Sequence, residues 1–149
     1  MAGCMQLVQQ QGLLTCPTRG PGFVDITRDV AGWLAGIRAV DGVVTLFIRH
    51  TSASLVIQEN ADPDVLADLG SALDRLAPRS MPWRHSAEGP DDMPAHVRSM
   101  LTGVSHSIPV ASGRLRLGTW QALYVAEHRD SPHERQVALV FVGTVAASA

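Results

Sequence analysis

The chain is poor in cysteine, in excess charge and in long apolar runs, and each shortage excludes a class of protein. Its two cysteines, Cys4 and Cys16, have no CxxC spacing and no partner cluster downstream, so we expect buried or half-buried thiols and no disulfide. The most apolar run, residues 137–147, is about eleven residues long, whereas roughly twenty are needed to span a bilayer. The first residues also lack the charged and apolar segments of a secretory signal. We therefore expect a cytoplasmic protein with no membrane partner.

Two further absences argue against nucleic-acid binding and against common nucleotide-binding folds. With 12 basic and 14 acidic residues the formal net charge is -2, and no basic stripe is present, so no nucleic-acid partner is expected. No glycine-rich fingerprint follows a strand pattern, which leaves Rossmann and P-loop nucleotide folds unsupported. The 149 residues, 46% of them hydrophobic, are typical of one folded domain spanning 1–149.

Strand patterns occur at both ends of the chain and helical patterns lie mainly between them. The predicted strands are residues 5–11, 22–26, 43–48, 55–57, 107–110, 114–127 and 136–143. The 43–48 run is almost continuously apolar, which is typical of a strand covered on both faces. A Ser112-Gly113 turn and the Leu115/Leu117 alternation favour antiparallel pairing, so we predict an α+β fold.

Three helices are predicted from capping residues and apolar spacing. The first begins at Thr27, whose hydroxyl could cap the first turn, and the second is capped by Asp62 with a proline following it. The third opens at Pro94 and closes near Gly103. Its predicted inward residues are Val97, Met100, Leu101 and Val104.

Histidines and acids are concentrated in residues 84–96, a segment without apolar periodicity. His85 and His96 are separated by eleven positions, and three acids lie between them: Glu88, Asp91 and Asp92. Imidazoles with carboxylates that orient them are typical of metal sites. The alternative is that Asp91 and Asp92 complement the start of the third helix, where negative charge is favourable.

Polar residues also follow the buried 43–48 strand. His50, Thr51 and Ser52 would be held at its end, where they could serve a site or simply satisfy backbone groups. Asn60 could bind a ligand, whereas Asp62 has a sufficient role as a helix cap.

The last candidates lie around the predicted 114–127 strand. Trp120 follows Gly118 and could approach a planar ligand, although plain core packing is the alternative. Glu127 and Arg129 could add charge to a site or form a solvated rim. A phosphorylated substrate would favour Arg114 or Arg129, because a guanidinium binds phosphate with two parallel hydrogen bonds.

Five ordered motifs, read together, resemble one protein family. They are His50-Thr-Ser-Ala-Ser-Leu55, Glu59-Asn60-Ala-Asp62-Pro63, His85-x-x-Glu88-Gly89-x-Asp91-Asp92-Met-Pro-x-His96, Gly118-Thr-Trp-Gln121 and Glu127-His-Arg129. This order, spread over roughly residues 6–143, resembles the YjbQ family, also called the secondary thiamine-phosphate synthases. His106 and His133 fall outside the motifs and are interpreted as surface or packing residues.

The resemblance implies a fold, an assembly and an activity. The implied fold is a mainly antiparallel α+β sandwich with about three helices. The implied assembly is a homotrimer with a cleft near the subunit interface. The implied activity is weak thiamine-phosphate synthesis, in which a thiazole phosphate attacks hydroxymethylpyrimidine diphosphate and pyrophosphate leaves.

The resemblance, combined with the chemistry of the individual residues, leads us to a hypothesis for their roles. His50, His85 and His96 would bind a divalent metal, and Glu88 or Glu127 would handle protons. The substrate would contact Thr51, Ser52, Asn60, Arg114, Trp120, Gln121 and Arg129. Magnesium suits the diphosphate, yet imidazole ligands favour zinc, so either metal is left open.

Two other functions fit the same residues. A zinc-type hydrolase or lyase of unknown substrate would make thiamine-phosphate synthesis a side activity. A non-catalytic trimeric binding protein would hold a small molecule in the histidine cleft without turnover.

Overall fold

A computed structural model of the protein describes residues 6–147, so Cys4 and the first residue of the predicted 5–11 strand lie outside the described residues. Eight strands and three helices follow one another along the chain. They are β1 (Gln6–Arg19), β2 (Gly22–Asp25), α1 (Thr27–Gly36), β3 (Ala39–Ile48), β4 (Ala53–Glu59), α2 (Pro63–Leu76), α3 (Asp92–Thr102), β5 (Ser105–Ala111), β6 (Arg114–Leu115), β7 (Gln121–Glu127) and β8 (Pro132–Val145).

The strands form two antiparallel sheets that enclose the core. One sheet has the order β1-β8-β3-β5-β6 and the other has the order β2-β7-β4. Alternate residues of β8, including Val137, Leu139 and Phe141, are buried against the facing sheet, as the two-residue period of a strand requires. The predicted α+β fold with antiparallel strands and three helices is confirmed.

The outer strands are longer than their apolar patterns indicated. β1 pairs with β8 without interruption from Gln6 opposite Val145 to Arg19 opposite Pro132. The ladder of backbone hydrogen bonds continues where side chains are polar, and a single-strand pattern does not register that continuation. Cys16 is buried on this strand as a free thiol, as predicted.

Two strand predictions are corrected. Only one face of β3 is covered by other parts of the described chain, because Val44 and Leu46 are buried whereas Val43 is 41% and Phe47 49% exposed. The predicted 114–127 strand is two strands, since β6 pairs with β5 in the larger sheet and β7 pairs with β2 and β4 in the smaller one. Residues 116–120 carry the chain from one sheet to the other.

The three helices differ in how well their ends were predicted. Asp62 caps α2 by accepting a hydrogen bond from the amide of Asp64 at 2.9 Å, which confirms its predicted role. Thr27 does not cap α1, because its hydroxyl accepts instead from the amide of Leu123 at 2.9 Å. The site is affected most by α3, which begins at Asp92 rather than Pro94.

The packed face of α3 is largely polar, which corrects the prediction that Met100 and Leu101 point inward. Val104, also predicted to point inward, does pack against the core. Met100 is 77% and Leu101 54% exposed, whereas Asp92, Arg98 and Ser99 are buried. The end of β3, the start of β4 and the end of β7 lie beside this face, as the pairing of Ala53 with Glu127 and the contacts between α3 and β4 show. None of the described helices combines the length and the apolar character that crossing a membrane requires.

Candidate functional site

His85, Asp92 and His96 form a compact cluster at the start of α3. Asp92 and His96 are four residues apart, which places both on one face of the helix, and His85 reaches them from the preceding loop. The Nε2 atoms of His85 and His96 lie 2.6 and 3.2 Å from Oδ2 of Asp92. One potential ligand atom from each residue lies within 4.8 Å of the others, a spacing that could hold a metal ion.

The orientation of His96 defines the electrostatics of this cluster. Its Nδ1 lies 3.1 Å from the carbonyl oxygen of Thr51, which only accepts, so we assign the ring hydrogen to Nδ1. Nε2 then faces the carboxylate of Asp92, another acceptor. Burial opposes ionisation of Asp92, but hydrogen bonding from His85 and the charge of Arg129 hold its pKa below the ordinary value. Because both neighbours of the ring are acceptors, one ring hydrogen cannot serve both contacts of His96.

Arg129 anchors the far side of Asp92. Its Nη1 donates to Oδ1 of Asp92 at 2.5 Å, its Nε donates to Asp91 at 2.9 Å, and its Nη2 donates to the carbonyl of Glu88 at 3.0 Å. All three nitrogens are engaged, so this guanidinium holds the cluster and has little capacity left for a substrate phosphate. Asp91 makes no side-chain capping bond to α3, so its carboxylate belongs to this charged network.

Glu127 is buried at the end of β7 and is saturated with donors. Arg135 binds both of its oxygens at 2.6 and 2.7 Å, Thr18 donates at 2.5 Å, and the amides of His128 and Arg129 each donate at 2.9 Å. Burial alone would raise the pKa of this carboxyl, yet Arg135 and the other donors lower it to about 2. By accepting hydrogen bonds from the amides of His128 and Arg129, Glu127 fixes the backbone at the end of β7 and so orients Arg129 toward Asp92.

His50 lies outside the cluster of His85, Asp92 and His96. Its Nε2 accepts from the amide of Gln136 at 2.8 Å, and its Nδ1 lies 3.4 Å from Arg135. Burial, followed by the charge of Arg135, lowers the pKa of His50, so the neutral ring is favoured. The Nε2 lone pair of His50 is therefore occupied by the hydrogen bond from the backbone amide of Gln136.

A groove lies beside the end of β3. It encloses about 630 Å³ and is lined by His50, Thr51, Ser52 and Arg135, together with the exposed Arg49. Arg49 has a single side-chain hydrogen bond among the described residues, to Gln136 at 3.3 Å. Since the carbonyl of Thr51 also orients His96, the groove and the cluster share a wall.

Some of the remaining predicted site residues lie near the cluster of His85, Asp92 and His96, and others lie far from it. Glu88 is near, with its carboxylate 3.7 Å from Nε2 of His85 and largely exposed. Asn60 and Gln121 lie at the opposite end of the β4–β7 pair from Glu127, roughly 20 Å along a seven-residue strand. Trp120 is beside them and 63% exposed, so the core-packing alternative for it is wrong.

Arg114 is also distant, because β6 pairs with the far end of β5. The two histidines outside the motifs make hydrogen bonds to backbone carbonyls, His106 to that of Leu55 and His133 to that of Ser131.

Sequence reasoning missed the central position of Asp92. The four-residue spacing from Asp92 to His96 was the available signal, and placing the helix start at Pro94 concealed it.

Comparison with known proteins assigns the chain to a family. A family model described as UPF0047 protein YjbQ-like matches residues 13–144. This chain belongs to the YjbQ family.

YjbQ-family relatives align along most of their length. A UPF0047 protein of Synechocystis is 46% identical over 138 residues, covering 92% of this chain and 94% of its own. The UPF0047 protein YjbQ of Salmonella typhimurium is 39% identical and covers 89% and 97%. Among solved structures, a hypothetical protein of Aeropyrum pernix has a TM-score of 0.82 at 32% identity, covering 90% of this chain and 98% of its own. These matches confirm the YjbQ-like fold.

Proposed function

We propose that this YjbQ-family chain is a metal-dependent enzyme acting on a small phosphorylated substrate, with His85, Asp92 and His96 as the metal ligands. The observation that carries the proposal is the position of His96 between two acceptors, the carbonyl of Thr51 and the carboxylate of Asp92. A bound cation would satisfy both imidazoles and the carboxylate at once.

The donor set fits a transition metal better than magnesium. Two imidazoles and one carboxylate match zinc and related ions, whereas magnesium prefers oxygen ligands at octahedral positions. When bound, the ion would supply Lewis-acid polarisation of a phosphoryl or carbonyl oxygen. Asp92 replaces His50 as the third ligand in this proposal, because Nε2 of His50 already accepts a backbone hydrogen bond.

The surrounding residues support this role. The Thr51 carbonyl fixes the His96 ring, and Arg129 holds Oδ1 of Asp92 so that Oδ2 faces both histidines. Such outer partners orient metal ligands in known sites. Glu88 is largely exposed beside His85, where its carboxylate could accept a substrate proton.

Phosphate recognition is assigned to the groove. Arg129 and Arg135 are occupied by carboxylates, whereas Arg49 has only its contact with Gln136. A phosphate beside Thr51 could accept from Arg49 and from the Thr51 hydroxyl, close to the metal ligands. This adds Arg49 to the predicted substrate contacts.

A homotrimer is proposed from the outer face of the five-stranded sheet. Residues paired across β1, β8 and β3 present an uncovered apolar surface there, comprising Leu7, Leu13, Val43, Phe47 and Val142. Exposed apolar patches of this kind mark association sites. Phe47 also lines the groove, which places the groove beside the proposed interface. Asn60, Arg114, Trp120 and Gln121 could then reach a groove only from a neighbouring subunit.

Thiamine-phosphate synthesis is the first reaction to test. In it the thiazole ring nitrogen forms a bond to the pyrimidine methylene carbon, and the carbon–oxygen bond to the diphosphate breaks, releasing pyrophosphate. Arg49 and the metal site would balance the charge of the leaving group.

The second candidate is a zinc-type hydrolase, and the donor set favours it. Two imidazoles and one carboxylate form the ligand set of known zinc hydrolases, in which a bound water is activated. Thiamine-phosphate synthesis would then be a side activity.

Metal analysis and assay of the same preparations test both candidates. We expect the chain purified without chelator to contain stoichiometric zinc or another transition metal, and His85→Ala to lose both metal and turnover. His133→Ala is the matched control, because among the described residues the ring of His133 hydrogen-bonds only to the carbonyl of Ser131. Thiamine phosphate formed from its two precursors supports the first candidate, whereas turnover of phosphate esters alone supports the second. Retention of metal by His85→Ala would contradict the proposed centre.

A further inference from the structure

His50 and Arg135 meet at the groove beside the end of β3. Nδ1 of His50 lies 3.4 Å from Nη1 of Arg135, and both residues line the groove. A guanidinium nitrogen only donates, so this contact is a hydrogen bond only where Nδ1 carries a lone pair. The position of the hydrogen on the imidazole ring therefore decides whether two donors face each other here.

The backbone of β8 fixes that hydrogen on Nδ1. Nε2 of His50 lies 2.8 Å from the amide nitrogen of Gln136, which only donates, so Nε2 holds the lone pair. Burial, followed by the charge of Arg135, lowers the pKa of His50, so the ring is neutral and has one hydrogen. That hydrogen must lie on Nδ1, because a neutral imidazole has one donor and one acceptor nitrogen.

Arg135 has one nitrogen left over beside this ring. The residue is 3% exposed, and it gives Nε and Nη2 to Glu127 at 2.7 and 2.6 Å. Nη1 has no other contact within hydrogen-bonding distance among the described residues than Nδ1 of His50. Since Nδ1 is itself a donor, Nη1 lacks an acceptor. A buried donor without an acceptor is unfavourable, so an acceptor from outside the chain would be favoured.

Further donors surround this pair, and no acid lines the groove with them. Ser52 is 8% exposed, its Oγ accepts from Nη2 of Arg135 at 3.1 Å, and its own hydrogen has no acceptor among the described residues. Arg49 is exposed and has one side-chain hydrogen bond, to Gln136. None of the described residues that line the groove is an aspartate or a glutamate. Donors and positive charge together indicate an anionic ligand.

We propose that these donors bind the phosphoryl group of a small organic phosphate, with one oxygen accepting from both Nδ1 of His50 and Nη1 of Arg135. The other oxygens accept from the hydroxyl of Ser52 and from Arg49. A tetrahedral phosphoryl group offers three such oxygens, whereas a carboxylate offers two. Resting on the proposed function for its substrate class, this site gives His50 to the phosphate rather than to the metal.

The groove has room for the rest of such a molecule. It encloses about 630 Å³, which is within the range of small-molecule sites and more than a free phosphate ion fills. Its apolar lining consists of Phe47, Ile48 and Val104, and Phe47 is 49% exposed. The organic part of the ligand would pack against these side chains.

Nitrogen-15 NMR of the full chain tests the position of the ring hydrogen, because the shift of a ring nitrogen distinguishes N–H from a lone pair. At neutral pH we expect hydrogen on Nδ1 of His50 and none on Nε2. Sulfate is the probe for the anion, since it is a tetrahedral dianion whose charge is constant near neutral pH. Its titration should shift the Nδ1–H signal saturably. Hydrogen on Nε2, or no saturable shift, would overturn the proposal.

Substitutions separate this site from the proposed metal centre. His50→Phe keeps a ring but removes the Nδ1 donor, so it should weaken sulfate binding by about tenfold or more and leave the metal content unchanged. His133→Phe is the matched control and should change neither quantity. His85→Ala removes a proposed metal ligand and should retain its affinity for sulfate.

The outcomes distinguish the two proposals. A wild type that binds sulfate in the expected manner but holds no metal would contradict the metal centre and support the phosphate site. Loss of metal in His50→Phe with unchanged sulfate affinity would assign His50 to the metal and overturn the phosphate site.

Arg49→Gln applies the test at an exposed position if His50→Phe does not fold. Removing this charge should weaken sulfate binding by about five- to tenfold, with Arg114→Gln as the matched control at the distant β6 strand. Acetate should bind about tenfold or more weakly than sulfate, because it offers one charge and two oxygens. Unchanged sulfate affinity in Arg49→Gln, or acetate binding as tight as that of sulfate, would overturn the proposed phosphoryl site.

Discussion

Glu127 and Arg135 form a two-pronged ion pair inside the sandwich, with Nη2 to Oε1 at 2.6 Å and Nε to Oε2 at 2.7 Å. Both side chains are almost fully buried. The pair links β7 to β8, and its carboxylate also fixes the amides of His128 and Arg129. The pair therefore fixes the end of β7 that carries Arg129, beside the proposed metal ligands.

Breaking this pair should destabilise the protein strongly. Glu127→Ala leaves Arg135 charged and unpaired in the interior, which costs about 3–5 kcal/mol of unfolding free energy. Urea denaturation measures the loss. Arg79→Ala is the control, because its pair with Asp130 is roughly half exposed and should be worth about 1 kcal/mol or less. Equal losses in the two variants would contradict the assignment of Glu127 as a buried structural charge.

Arg129 should act as a positioning residue for the metal site. Replacing it with lysine retains the charge but removes the simultaneous bonds to Asp91 and Asp92, so zinc affinity should fall about 10- to 100-fold. Competition with a chromogenic chelator measures the affinity. Arg114→Lys is the matched control at the distant β6 strand, and loss of affinity in that variant alone would refute the role given to Arg129.

Acid should destabilise the native state in two steps. The pKa of His128 is about 4 in the native state against an ordinary value of 6.5, so between these values the unfolded chain binds a proton that the native chain excludes. Unfolding free energy should therefore fall as pH falls from 6.5 to 4, by up to about 3 kcal/mol. Below pH 4.5 the unfolded chain also binds a proton at Glu127, whereas the native pKa of this carboxyl is about 2. The unfolding free energy should therefore fall further as the pH decreases toward 2.

His128→Gln tests the first step. Urea midpoints measured across this range should fall less steeply with decreasing pH in the variant than in the wild type. Some slope should persist, because the pKa of His50 is lowered in the same direction. An identical slope in both proteins would contradict the assignment.

Two glycines should respond oppositely to alanine. A Cβ at Gly143 would collide with the carbonyl of Asp41 and with Gly42 on the neighbouring strand, and backbone atoms cannot easily yield. Gly143→Ala should cost about 1–3 kcal/mol. Gly70→Ala has open space around it in α2 and should stabilise by up to about 1 kcal/mol. Thermal denaturation of the two variants checks both signs.

Local signals identified most of the elements of the fold. The Asp62 cap with its following proline predicted the start of α2, and alternating apolar residues predicted the strands of an antiparallel α+β protein. The split of the 114–127 strand was missed, because both halves have strand-like patterns and only pairing shows that they belong to different sheets. The buried polar face of α3 was missed for a related reason. The spacing of apolar residues predicts the buried face of a helix only where that face is apolar. On α3 the buried face includes charged and polar residues instead.

The sequence by itself determined the family and the main elements, and it singled out His85, His96 and Glu127 as candidate site residues, because motif order and periodicity are properties of the chain. Only the tertiary structure decided that Asp92 lies between the two histidines, that Glu127 is locked by Arg135, and that Trp120 lies at the far end of its strand pair. The physical reason is that side-chain hydrogen bonds here join residues up to 115 positions apart. Their partners are selected by strand register and by the packing of α3, neither of which is encoded in local spacing.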